Sequence, residues 1–336
     1  MRKLLNNPYI QFILFALALA SIPALTNIGV LSKNYIIVFA GVIIYGIAAL
    51  GLNVLLGYSG LISLGTAGFM GLGAYLSAYF TGKMNMPFEL SLVLSILIPT
   101  ILGILVGLVS LKIDGLYLAI ATLAVSEIFR EIFIQFDAFT GGASGAQSSY
   151  PSLLFGKLKL TRSGTYYLIV VILLVVLVLV YNFLKGYVGR ALNAMRGSEH
   201  AAAAMGVNIF MYRLVSFALA TALAATAGVL YVHIIRVSVP NSWTLNTSLD
   251  ILAVIVIGGF RSIYGTFFGA FFVYGVSELF LKQISWMAEF AYIIKGVLII
   301  LVVMYYPGGS VQMFNQIKNW ILKIFNKAKK GEIIDE

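Results

Sequence analysis

Between positions 164 and 184 the chain carries no charged residue, and the centre of that run, YYLIVVILLVVLVLV at 166–180, is apolar throughout. A bilayer core offers backbone amides no partners, so a run of this kind must satisfy them internally, as a helix or in a closed barrel. Barrel strands are roughly 10 residues long and alternate apolar with polar positions, and 166–180 has no alternation. The reading is a helix, for which about 20 residues cross a core of about 30 Å. Further apolar stretches place candidate spans at 9–31, 35–57, 61–82, 88–111, 115–136, 164–184, 210–235, 249–260, 265–283 and 287–306. With 61% hydrophobic and only 10% charged residues over 336 positions, the chain exceeds what a water-soluble domain needs. The expectation is an all-α polytopic membrane protein of ten transmembrane helices, some broken or re-entrant.

The net charge of +10 does not point to nucleic acid, because the basic residues cluster beside spans and in the tail, where they set topology and touch anionic lipid. Arg2 and Lys3 precede the 9–31 stretch, which is longer than a signal-peptide core and reads as a retained anchor. With the N-terminus inside, ten spans put both 185–208 and the tail in the cytoplasm, where Lys185, Arg190 and Arg196 obey the positive-inside rule. The 137–163 loop then lies outside, and its Lys157, Lys159 and Arg162 oppose the rule locally.

Cysteine is absent, which excludes disulfides and thiol-bound metal. His200 and His233 are the only histidines and stand far apart, so no metal site is expected. Ser144, Ser148 and Ser149 have no base or turn motif beside them, and no phosphate loop occurs. No catalytic residue is proposed, and the chain must draw energy from elsewhere. It reads as a pore driven by a separate subunit rather than an enzyme.

The element that would receive that drive is the polar stretch KGYVGRALNAMRGSEHAAAAMGVN at 185–208. Ser198 suits an N-cap, Glu199 the positively biased first turn and Gly206 a C-terminal cap. Ala201 to Ala204 form a short rod with too thin an apolar face for lipid, but with a smooth surface for a partner's cleft, oriented by Arg190 and Arg196. Beyond Pro307, residues 311–336 form a basic tail with Phe314, Ile317, Ile321 and Ile324 on one helical side and Lys318, Lys323 and Lys327 among the polar positions. That pattern fits an amphipathic helix on the inner leaflet with Trp320 as interfacial anchor.

Two segments suggest broken helices. The short 249–260 stretch runs into GGFRSIYG at 258–265, and interrupted helices are tolerated at membrane depth where they line a cavity or are buried in protein. The third span is rich in glycine, and Ala67, Gly71, Ala74 and Ala78 share one face, for close packing or for lining a pore. Ionisable residues inside spans are costly and tend to be functional. Glu127 and Arg130 have the i, i+3 spacing for local pairing, beside Glu131; a substrate ammonium is the other use for these carboxylates. Glu278 and Lys295 flank the turn near 286 at similar distances and are expected to form an ion pair.

The chain resembles the permease subunits of branched-chain amino acid ABC importers over roughly residues 46–310. The resemblance rests on GIAALGLNVLLGYSGLISLG from Gly46, GLYLAIATLA from Gly115, TGGASG from Thr140, GRALNAMR from Gly189, AAMGVN from Ala203, SLDILA from Ser248 and GGFRSIYG from Gly258, in that order. It implies a transmembrane permease domain over 1–310, with a coupling loop at 185–208 seated in a cytoplasmic ATPase. The coupling residues would be Arg190, Arg196, Ser198, Glu199, His200, Ala201, Ala202, Met205 and Gly206. Candidate pathway residues are Asn53, Ser63, Thr66, Tyr117, Thr122, Glu127, Gly258 and Gly259. The resemblance also implies a second homologous permease, two ATPase chains carrying the ATP and magnesium, an extracytoplasmic solute-binding protein, and a place in a prokaryotic cytoplasmic membrane. Thr66 stands where the family often has histidine, His200 where an apolar residue is usual, and Arg261 with Thr266 where glycine and proline are commoner.

The expected function is import of leucine, isoleucine and valine. A urea or short-amide importer is the nearest rival, and an ion-coupled secondary transporter the rival from another class, with essential membrane carboxylates and no ATPase.

Overall fold

The computed structural model describes residues 7–29, 32, 34–111, 115–281, 291–305, 309 and 312. Its α-helices of six or more residues are α1 Pro8–Asn27, α2 Asn34–Asn53, α3 Thr66–Gly82, α4 Phe88–Ser110, α5 Leu116–Gln135, α6 Arg162–Lys185, α7 Tyr187–Gly197, α8 Glu199–Ala204, α9 Ile209–Ile235, α10 Leu245–Gly258, α11 Ile263–Ala270 and α12 Ala291–Tyr305. Each of the ten predicted spans overlaps a described helix, and five helical stretches (8–26, 34–58, 88–110, 162–185 and 209–235) are long and apolar enough to cross a membrane. The fold is an all-α polytopic membrane protein. The amphipathic tail of 313–336 and the Lys295 side chain lie outside the described residues, and with Lys295 the proposed pair to Glu278.

Apolarity alone does not sort the helices; burial does. In α2 and its continuation to Tyr58, and in α9, 72% of the apolar window is buried, against 28%, 22% and 33% in α1, α4 and α6. The first two are the core and the others form the rim. Helix α3 packs against α9 along a seam of small residues: a Cβ on Gly228 would overlap the carbonyl oxygen of Met70, and one on Gly73 the carbonyl of Ala225. Close backbone approach of this kind drives association where lipid removes the hydrophobic driving force. It favours the packing use of the small α3 residues.

The third span is shorter than predicted. Residues 61–65 are not helical, and α3 begins at Thr66. Helix α2 widens into a π-helical turn at Val54–Tyr58, Gly60 takes a positive φ of 73°, and Leu64 N donates to Thr122 Oγ1 at 3.0 Å. Ala67 N, one of the unpaired amides that open α3, donates to Ser248 Oγ at 3.1 Å. The link is therefore an irregular segment with its polar groups satisfied by protein, as membrane depth requires.

Helices α10 and α11 form a tight hairpin whose backbones meet through Gly258, Gly265 and Gly269. Ser262 caps α11 by accepting from Gly265 N at 3.0 Å, and α11 continues through π-helical turns to Leu281. At the opposite end of the molecule, the 137–163 loop contributes two short antiparallel pairs, Ala146–Gln147 with Val237–Ser238 and Ser152–Leu153 with Leu158–Lys159. His233 ties that end together. Its Nδ1 lies 2.9 Å from the Ser149 carbonyl, which only accepts, so Nδ1 carries the proton and Nε2 accepts from Ser77 Oγ at 2.9 Å.

Candidate functional site

The polar stretch between α6 and α9 folds as two helices, α7 and α8. Gly186 in extended conformation separates α6 from α7, and Ser198 breaks α7 from α8. Ser198 caps α8 as predicted, accepting from Ala201 N at 3.2 Å. Gly206 has a φ of +85°, a left-handed turn that glycine adopts without strain.

This pair rests on a small apolar cluster of its own. Leu192, Met195 and Ala202 are buried together, with Tyr58, Phe183, Val188, Val207, Ile209 and Tyr212 packed against them. The predicted residues therefore divide into two sets. Ala202, only 5% exposed, faces inward and supports the shelf. Arg190, Arg196, Ser198, Glu199, His200, Ala201 and Gly206 are exposed, and Met205 at the tip is 86% exposed. A large apolar side chain this exposed, at the end of a helix held by its own cluster, suits insertion into a pocket on another protein.

The shelf is tied to the rest of the chain by polar contacts, some of them between residues distant in sequence. Glu199 pairs with Arg213 of α9 at 2.5 Å, fourteen positions away. Arg190 donates to the Lys185 carbonyl at 3.2 Å, closing the end of α6. Arg196 reaches the irregular link: a Cβ on Gly60 would come 2.9 Å from its Nη1. Asn193 of α7 accepts from the Arg261 guanidinium in the α10–α11 turn.

The candidate pathway residues fall into three groups. Asn53 is buried and binds the α10–α11 turn: its Oδ1 accepts from Arg261 N at 2.8 Å, and its Nδ2 donates to Thr266 Oγ1 at 2.8 Å and the Ser262 carbonyl at 3.3 Å. Gly258 and Gly259 belong to the same turn, Gly259 with φ +99°. Ser63, Thr66 and Thr122 are buried around the irregular link, with Ser63 and Thr66 lining a cavity of about 10 Å³, room for one water at most. Tyr117 and Glu127 lie elsewhere, on the exposed side of α5: Tyr117 is 72% exposed, and Glu127 pairs with Arg130 at 2.7 Å as the spacing predicted, while Arg130 also holds Glu131 at 3.0 Å.

Asn53 is thus a structural clamp in this conformation. Asn53→Leu is expected to leave Arg261 N without its acceptor and to remove one of the two bonds of Thr266 Oγ1, which keeps the Ser262 carbonyl, at a cost of about 1–3 kcal/mol, seen as a lowered unfolding temperature of detergent-purified protein.

Residues 34–303 match the family described as branched-chain amino acid transport system / permease component. Over 312 residues the chain is 30% identical to the high-affinity branched-chain amino acid transport system permease protein LivM of Escherichia coli strain K12, covering 86% of this chain and 72% of the relative. This chain belongs to that permease family. The same identity and coverage hold for LivM of Salmonella typhimurium strain LT2. A probable branched-chain amino acid transport permease protein LivM of Methanocaldococcus jannaschii is 28% identical over 242 residues, 66% of this chain and 68% of the relative. No solved structure matches this permease.

Sequence reasoning found the shelf of this permease and its caps. It missed Asn193, Arg213 and Tyr58, because each works through a partner distant in sequence, and no periodicity or motif carries such a pairing.

Proposed function

We propose that this permease carries leucine, isoleucine and valine inward as part of an ATP-driven importer, beside a second related permease and fed by a solute-binding protein. Two cytoplasmic ATPases would bind and hydrolyse ATP, and this chain would receive their movement. The α7–α8 shelf carries the reading: it is braced from below by Ala202 and its cluster and projects Met205 outward. Helices so placed follow a docked partner as a rigid body. In this arrangement the 186–208 end and both termini lie in the cytoplasm, and the 137–163 end faces the binding protein.

The exposed charges on α5 support a pathway along that face. Glu127 and Glu131 keep 40% and 55% of their side chains exposed in the single chain, and charge within a spanning helix faces protein or water rather than lipid. Uptake of radiolabelled leucine by cells expressing the whole complex is expected to be competed by isoleucine and valine and unaffected by urea or acetamide. Competition by urea with none by valine would assign the amide substrate instead.

A further inference from the structure

We infer that Arg261 is a coupling latch, a positioning residue that makes the α10–α11 hairpin follow the α7–α8 shelf. The inference rests on the ATP-driven reading above and adds to it the route by which movement enters the membrane.

A docked partner can move α7 and α8 directly, and the chain itself carries that movement to α6 and α9. Helices α10 and α11 lie more than forty residues further on and have no such covalent route from the shelf. Among the described residues, the Arg261 guanidinium supplies a polar one: it donates to Asn193 Oδ1 at the middle of α7. Arg261 is held firmly at its own end. Its guanidinium carbon lies 4.9 Å from the centre of the Tyr58 ring, its carbonyl accepts from Tyr58 Oη at 3.3 Å, and its amide donates to Asn53. Tyr58 closes the π-helical turn of α2 and also packs on the shelf cluster.

The backbone bears the mark of this arrangement. Arg261 has φ +64°, a left-handed conformation unfavourable for a residue with a Cβ. There its side chain turns away from the hairpin and toward α7. Gly57 is needed opposite: a Cβ there would lie 2.7 Å from Asn53 Oδ1 and 3.2 Å from both the Arg261 amide nitrogen and its Cγ. One side chain therefore joins three elements: the shelf, the end of the central α2 and the hairpin turn. A planar guanidinium suits this task, since it stacks on an aromatic ring while its fork donates in plane.

The test uses the reconstituted complex of both permeases, both ATPases and the binding protein, with radiolabelled leucine uptake and ATP hydrolysis measured on the same vesicles. In Arg261→Gln and Asn193→Ala the ATPases are expected to co-purify as in wild type, while leucine imported per ATP hydrolysed falls about fivefold or more, the lower range of typical coupling between sites. The double variant is expected to lose no more than either single one, because both remove the same bond. Asn193→Asp keeps the acceptor and is expected to retain coupling. The cysteine-free sequence permits a decisive rescue: Asn193→Cys with Arg261→Cys is expected to be uncoupled, and a short bifunctional thiol reagent joining the two is expected to restore uptake per ATP. Unchanged uptake per ATP in both single variants, additive losses in the double variant, or a cross-link that leaves the pair uncoupled would each overturn the latch. Loss of ATPase co-purification in Arg261→Gln would overturn it too, by placing Arg261 in docking rather than transmission. If wild-type uptake proceeds without the ATPases, the ATP-driven reading fails and the latch with it.

Discussion

Gly228→Leu is expected to leave no folded permease in the membrane. Gly228 sits where α9 crosses α3, and even a methyl group there would overlap the Met70 carbonyl oxygen. Overpacking usually costs about 1–3 kcal/mol because neighbouring side chains shift rotamer. Here the obstacle is helix backbone, which has no rotamer to change, so α3 and α9 must separate along their length. Gly73 against Ala225 shows the same close approach on the same seam, so relief at one point opens the other. Since whole domains are stable by only about 5–15 kcal/mol, a separation of this kind consumes a large part of the total. Fluorescence-detected gel filtration of detergent extracts reads the outcome, with Gly197→Ala as control, because nothing lies within 4 Å of a Cβ there. A monodisperse Gly228→Leu peak at wild-type yield would contradict the packing account.

The second large effect belongs to the shelf. Met205→Asp is expected to leave the permease folded and inserted but to weaken its hold on the ATPase by roughly 30-fold or more, corresponding to about 2 kcal/mol for an interface anchor. The residue makes this a clean probe, since at 86% exposure its side chain supports little within the chain. Ala202 is the contrasting case. It is buried with Leu192 and Met195, so Ala202→Arg would force a charge into the base of the shelf and disturb its fold as well as its docking. The unfolding temperature of the purified permease separates the two, because Met205→Asp keeps the wild-type value and Ala202→Arg lowers it.

The parts of this architecture that depend on one-dimensional pattern were readable from the sequence. Apolar runs located the helices, and the Ser198 cap and Gly206 turn bounded α8 at its observed limits. The start of α3 was not readable, because the irregular link at 61–65 is apolar enough to pass for helix, and it is held open by Thr122, more than fifty positions away. The same limit applied to the candidate site. Arg190 and Arg196 stood out as charges flanking the shelf, but its attachment within the chain was not legible: the Glu199 carboxylate is held by Arg213 and α7 by Arg261. The pathway residues were chosen along the sequence as one set and stand as three groups, since glycines and hydroxyls that serve helix packing look the same in sequence as those that line a path.

The central claim, that the α7–α8 shelf transmits the work of a separate ATPase to this permease, is tested most directly by leucine uptake into proteoliposomes holding the full complex. Wild type is expected to accumulate leucine only with enclosed ATP, regardless of an uncoupler, and Met205→Asp to accumulate none although it is folded and inserted. Uptake that persists without ATP and collapses with the uncoupler, or wild-type uptake by Met205→Asp, would contradict it.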